Sequence, residues 1–555
     1  MSLFLKYVIA LLFFTTSFSF AGHGRCGTEA IWEHQQNVRN GLVAKTAYSA
    51  LVSCDPKAFY DTSNVQRRFT SHFRIYFVSE GPHATTTAFI DTLAVYLEKA
   101  WTLHTQTLGM RAPQAARTTY HYQQSDRPDL YPVEVLEIDM IRDTHSLMGG
   151  PCGGCYGLSF PPDFQNTELT ELVIDNDFRY PSQNSDSLSV TYHSQTCTYP
   201  VAEEEITNTS TGHSYADYFN EAIAVTAFHE LYHAVQSQYL DYVTHKNYSY
   251  WLEASAVGME EIGAPAVNDY WAYLNSFFQN PGSTFTHIGD AISPYGIGSW
   301  FLYNYKQWGP RFDKALWERI SENPDTTFDF IYAQELLSRK GNPDSVFHDF
   351  SEKIFFSGDR AHYLPTAKQF AEDQPFWPNM KLKNAGTEVS DFYPTAFSFL
   401  KLTGNALPAI SETFKGKASV ALWDTDGESV TFIRLNDSTS LQSLNAQIAQ
   451  ADSAVLILSQ LRNSTSTGSI LNDSLPMRAY PNPWEGASPL CFAGLPQDEH
   501  YIEVWTRSLK LAFRKSYQET SLCLEAASVR QSLAPGLYHF RAGNHGKTQP
   551  FLVIY

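Results

Sequence analysis

His229-Glu230-Leu231-Tyr232-His233 places two imidazoles and a carboxylate within five residues, inside the apolar run from Phe228 to Ala234. On a helix, residues four apart differ by roughly 40° in azimuth and ~6 Å along the axis, so both imidazoles can converge on one cation. Glu230 stands beside them, where a carboxylate can take a proton from a water on that cation. The chemistry such a trio supports is hydrolysis by a metal-activated water, with zinc the natural ion for nitrogen ligands. After His233, nineteen residues intervene before Glu253, in Tyr250-Trp251-Leu252-Glu253-Ala254-Ser255-Ala256. Two histidines and a carboxylate would leave the fourth tetrahedral position open for water. The competing account has two core histidines satisfied by backbone, and a glutamate favoured by the positive end of its own helix.

These side chains need helices to carry them. The pattern predicts one helix from about Tyr218 to Leu240 and a second beginning near Tyr250, joined by a polar, aromatic connection. Upstream, alternation over Ser71–Phe77 predicts a strand, and a helix is predicted from about Ala84 to Leu108. That helix has Phe89, Leu93, Tyr96, Leu97 and Trp101 on one stripe. Val133–Met140 and Glu171–Ile174 read as further strands on either side of a glycine-rich segment, Met148–Cys155. Asp175-Asn176-Asp177 offers oxygens of the kind calcium takes, but a strand-ending turn accounts for it more simply. The fold class expected is α+β, with a catalytic domain at 66–384 built on a mixed sheet. Its later helical stretches, Gly298–Trp308 and Phe328–Leu337 among them, would form a lower lobe. From Val389 short alternating segments such as Ala418–Trp423 and Val430–Ile433 predict a small β-sandwich at 385–462. A Ser/Thr-rich linker follows at 463–475, then an Ig-like sandwich at 476–555.

The chain of 555 residues is 43% hydrophobic and 17% charged, which gives ample material for several cores. A net charge of -19 excludes a nucleic-acid partner held by phosphate neutralisation. Lys6, the apolar run Tyr7–Phe20 and Ser19-Phe20-Ala21 form a signal peptide over 1–21, and no later segment is apolar enough to span a membrane. The mature chain is therefore expected outside the cell or at its surface, by way of the periplasm. Residues 22–65 read as a leader, either a propeptide or a packing arm. Seven cysteines in an oxidising compartment predict disulfides. Proximity pairs Cys26 with Cys54, Cys491 with Cys523, and two of Cys152, Cys155 and Cys197.

The motif and spacing resemble the gluzincin clan of secreted zinc peptidases, in which His-Glu-x-x-His is followed by a ligand glutamate on the next helix. The resemblance implies His229, His233 and Glu253 as zinc ligands and Glu230 as the general base. The nineteen-residue gap is similar to thermolysin-type members, whereas Trp251-Leu252-Glu253 is similar to the Trp-Leu-Asn-Glu-Gly of aminopeptidase-type members. In the latter a glutamate two turns on supports a zinc histidine, which implies that role for Glu260. The thermolysin-type aspartate is replaced by Val257. Ser293-Pro294-Tyr295-Gly296 resembles in outline the segment bearing an oxyanion-stabilising tyrosine, which implies Tyr295 in that role. No Gly-x-Met-Glu-Asn segment is present, so action on internal peptide bonds is expected over aminopeptidase action. Residues 476–555 resemble the sorting domain of type IX secretion substrates through Tyr480-Pro481-Asn482-Pro483 and Pro535-Gly536-Leu537-Tyr538, which implies the secretion machinery as a partner. The function expected is thus a secreted zinc metallopeptidase with a protein or peptide substrate. The alternative is a zinc-binding surface protein that is non-catalytic or acts on other bonds.

Overall fold

The computed structural model describes residues 54–553 apart from internal stretches, the longest being 142–153, 161–168, 241–247, 286–293, 462–477 and 481–489. The signal peptide, most of the leader, Cys26, Cys152 and the Ser/Thr-rich linker lie outside the described residues. The protein is mixed α+β and divides into two compact units, Met1–Pro324 with Ile331–Arg462, and Asn463–Tyr555 with Asp325–Phe330.

The first unit is built on a six-stranded sheet: β1 (Gln66–Phe69), β2 (Phe73–Phe77), β3 (Gln114–Ala115), β4 (Tyr131–Val135), β5 (Gly157–Phe160) and β6 (Leu169–Ile174). β1, β2, β4 and β6 lie side by side, and β3 and β5 both pair with β6. β2, β3, β4 and β6 run parallel, while β1 and β5 are antiparallel to their neighbours. Strand alternation sorts the side chains. Phe73, Ile75, Val133, Val135, Leu172 and Ile174 face helices α1 (Thr87–Trp101) and α2 (Phe219–Gln236), forming one core. Tyr76 and Val173 face a second core with Tyr122, Leu158 and Phe160.

Helix α1 starts where Thr86 accepts a hydrogen bond from the Phe89 amide, and it continues as a wide π turn over Thr102–Thr107. Its buried face is Phe89, Ile90, Leu93, Ala94, Leu97 and Ala100. Helix α2 has no side-chain cap and is buried on every side from Ala222 to Gln236, so its stability comes from packing rather than propensity. It packs against α3 (Ser249–Gly263), which is followed by a helix over Trp271–Gln279, α4 (Gly298–Trp308), α5 (Phe312–Glu322) and α6 (Pro343–Phe355).

Residues 385–462 depart from the expected all-β sandwich. They form most of one five-stranded sheet, with a helix, Leu441–Gln450, packed through Leu444 and Ile448. The other face of the sheet packs on α6, where Phe347 stacks on Phe397 and Phe355 on Phe399. Helices cover the apolar faces that a second sheet would have covered, so the segment is a layer of the first unit. In the second unit, strands at 478–480, 490–493 and 521–524 make one sheet. Those at 501–506, 511–516, 536–542 and 549–553 make another, and both enclose a core containing Leu490, Phe492, Ile502, Val504 and Phe540.

The Cys26–Cys54 pairing is corrected. Cys54 is bonded to Cys197, 143 residues away, on the hairpin strand Gln195–Pro200. Proximity in sequence failed because the chain at Cys54 lies at the hairpin, where a short helix (Pro56–Phe59) packs against that strand. Cys197 is thereby removed from the expected pair among Cys152, Cys155 and Cys197. Cys155 and Cys523 are each in a disulfide of their own, and Cys523 stands directly opposite Cys491 in strand register. Among the described residues, no helix is long and apolar enough to cross a membrane.

Two stability predictions follow from these features. Closing a loop of 143 residues constrains the unfolded chain, so Cys54→Ser with Cys197→Ser should cost about 2–4 kcal/mol, seen as a lower denaturant midpoint; an unmoved midpoint would show that the bond adds nothing. Burial lowers His104 and His348 to about 3 and His83 to about 4. Their folded values lie below the unfolded ~6.5, so the unfolded state takes up protons first as pH falls. Stability should be intact above about pH 6.5 and fall towards pH 4 at up to about 1.4 kcal/mol per pH unit for each histidine. Unfolding midpoints that stay level from pH 7 to 4.5 would contradict this.

Candidate metal centre

α2 and α3 lie against one another, and this brings together residues far apart in the chain. His229 and His233, one turn apart on α2, point their Nε2 atoms to within 3.0 Å of each other. From α3, Glu253 Oε2 lies 3.3 Å from His229 Nε2 and 3.5 Å from His233 Nε2. All three side chains are buried. Ligand atoms ~2.0–2.1 Å from a tetrahedral zinc ion stand roughly 3.3 Å apart, which is the spacing found.

The proton positions on the rings follow from their partners. His229 Nδ1 lies 2.5 Å from the Glu260 carboxylate, which only accepts, so Nδ1 carries the hydrogen. His233 Nδ1 lies 2.7 Å from Gln236 Oε1. The Gln236 amide is fixed in that sense because its nitrogen donates to Leu252 O at 3.1 Å and Ser255 Oγ at 3.0 Å. In both neutral rings the Nε2 atom therefore presents a lone pair. Two lone pairs and a carboxylate oxygen converge among buried side chains. That arrangement is repulsive by itself and favourable around a cation. Burial pushes the Glu253 carboxyl up; protonated His233 and His229 would more than offset this and lower it to about 2, and a cation among the neutral rings would supply the same pull.

Beside the cluster lies a small cleft of about 10 Å³, lined by His229, Glu230, Thr226, Tyr156, Tyr273 and Tyr295 together with Glu260 and Asp269. Glu230 and His229 therefore face one space. β5 makes room for the carboxylate, because a Cβ at Gly157 would lie 2.7 Å from Glu230 Cγ and 2.8 Å from Thr226 Cγ2. Tyr295, on the 3₁₀ turn Pro294–Ile297, lies parallel to the His229 ring at 6.2 Å and against Tyr273 at 5.0 Å. Every site residue expected from sequence is thus in one place. Sequence reasoning missed Gln236, although its position three residues after His233 puts it on the same helix face. It also missed Tyr156, Tyr273 and Asp269, which nothing local separates from other tyrosines and aspartates.

Two other polar groups have a plainer account. Glu134 of β4, Glu171 of β6 and His121 form a second buried His/Glu group. Glu134 accepts from the His121 and Tyr122 amides and Glu171 from the Tyr120 amide, so the carboxylates pin the 119–124 loop to the sheet. Burial and the adjacent Glu134 raise the Glu171 carboxyl well above its ordinary range. Asp175 Oδ1 accepts from the Asp177 and Phe178 amides, closing a turn at the end of β6.

No protein-family description matches the chain, and no curated protein does. One solved structure that aligns is PorZ, an essential bacterial surface component of the type IX secretion system of Porphyromonas gingivalis. The identity is 20%, the alignment covers 18% of this chain and 14% of that one, and the TM-score is 0.14. A likeness of that size carries no argument about this chain.

Gln236→Leu and Glu260→Leu should each weaken divalent-metal binding about 10–100-fold by releasing an imidazole, measured by competition with a chelator. Binding as tight as in the parent chain would mean the rings are oriented by other groups.

Proposed function

We propose that this chain is a secreted zinc-dependent peptidase acting on internal peptide bonds. The observation that supports it most is the convergence of His229 Nε2, His233 Nε2 and Glu253 Oε2 at 3.0–3.5 Å, with both histidine Nδ1 atoms already engaged. Zinc held by these three would supply Lewis acidity, lowering the pKa of a water towards ~7 and polarising a carbonyl oxygen.

The chain's own residues supply the remainder. Glu230 lines the cleft beside His229 and is the base that takes a proton from the attacking water. Water adds to the scissile carbonyl carbon, the C–N bond then breaks, and the proton held by Glu230 passes to the departing amine. The Tyr295 phenol, adjoining His229, is suited to donate to the oxygen on which negative charge develops. Glu260 and Gln236 keep the imidazoles in the tautomer that leaves Nε2 free of a proton. A binding protein without catalysis would have no use for a carboxylate at Glu230, and this favours an enzyme over an adhesin.

Export through the type IX route rests on the terminal motifs, and the Cys54–Cys197 bond fits an oxidising compartment. Glu230→Gln should keep one zinc per chain by elemental analysis while lowering cleavage of a peptide library about 10²–10⁴-fold, followed by mass spectrometry. A fully active Gln variant would put the base elsewhere. A zinc-loaded parent chain that cleaves no peptide would point to a different bond.

A further inference from the structure

The carboxylate of Asp313, in the first turn of α5, receives three donors from three helices. Trp251 Nε1 of α3 donates to Oδ1 at 2.7 Å, Trp317 Nε1 of α5 donates to Oδ2 at 3.0 Å, and the Tyr232 hydroxyl of α2 donates to Oδ2. All four residues are buried. Tyr232 immediately precedes His233, and Trp251 lies two residues before Glu253. One buried acceptor therefore bridges the two helices that carry the His229/His233 pair and Glu253. Burial pushes the carboxyl up to about 6, while the Tyr232, Trp251 and Trp317 donors hold it down. A hydrophobic side chain of the same size would fill the space, but it would leave three buried donors unsatisfied and would not fix the helices' separation.

We propose that Asp313 is a positioning residue that sets the distance between the His229/His233 pair and Glu253 by clamping Tyr232 and Trp251. This rests on the zinc-site reading above. The donors have unequal roles. Those of Tyr232 and Trp251 tie ligand-bearing helices together, whereas Trp317 shares α5 with Asp313 and ties it to no ligand. A clamp acting on ligand spacing is therefore separable from a buried polar group that only adds stability.

The test uses the full-length protein and its zinc dissociation constant, measured by competition with a chromogenic chelator alongside thermal unfolding. Asp313→Asn, Tyr232→Phe and Trp251→Phe are each expected to weaken zinc binding about tenfold or more while reaching one zinc per chain at saturation. Trp317→Phe is expected to lower the unfolding temperature and leave zinc affinity within about twofold. Should Asp313→Asn not fold, the two single-donor variants decide the matter. Parent-like affinity in both of them, or an equal loss in Trp317→Phe, would overturn the role of Asp313. A parent protein that binds no zinc would overturn the zinc-site reading itself.

Discussion

Two neutral imidazole nitrogens and one carboxylate oxygen facing each other across 3.0–3.5 Å, all on buried side chains, is the constraint on which the site depends. Such a grouping stores electrostatic repulsion unless a cation lies among the lone pairs. Its persistence requires that both rings be held and that both helices be held. Glu260 and Gln236 serve the rings, and the packing of α2 on α3 serves the helices. Gln236 does both at once, because the amide that orients His233 also donates to the backbone and a hydroxyl of α3.

The sheet and the outer helices exist in this context to fix α2. Apolar strand residues cover one side of it, α3 another, and the edge strand β5 comes close enough that glycine is needed opposite Glu230. Burying a helix on every side is costly in ordering, but it removes the fraying and solvent screening that would blur a site built on an exposed helix. The second sheet extends this stack through α6, where His348 spans from the helix to Ser419 and Ser459 of the strands.

Much of the first unit was legible in the chain because its elements carry strong local periodicity. The stripe on α1 reports its buried face directly, and the apolar run of α2 and the alternation of β2 mark elements that are buried on all sides. The segment at 385–462 misled for a related reason. Alternation in 417–423 reveals a strand but not what covers its faces, and helices cover it here where a sheet was expected. The disulfide misled because cysteine pairing follows distance in space, and Cys54 meets a partner 143 residues away.

The sequence by itself determined the kinds of chemistry available. Residue types and a helical period of 3.6 put His229 and His233 on one face with Glu230 beside them, and the next helix offered Glu253 and Glu260. The resemblance already singled out Glu253 for the cluster and Glu260 for a ring; only the tertiary structure decided that Gln236 is the second support and that Asp313 receives donors from both helices. The reason is physical. A residue's face on its own helix follows from local geometry, whereas the partner it meets depends on how helices are packed, and packing is set by the whole core.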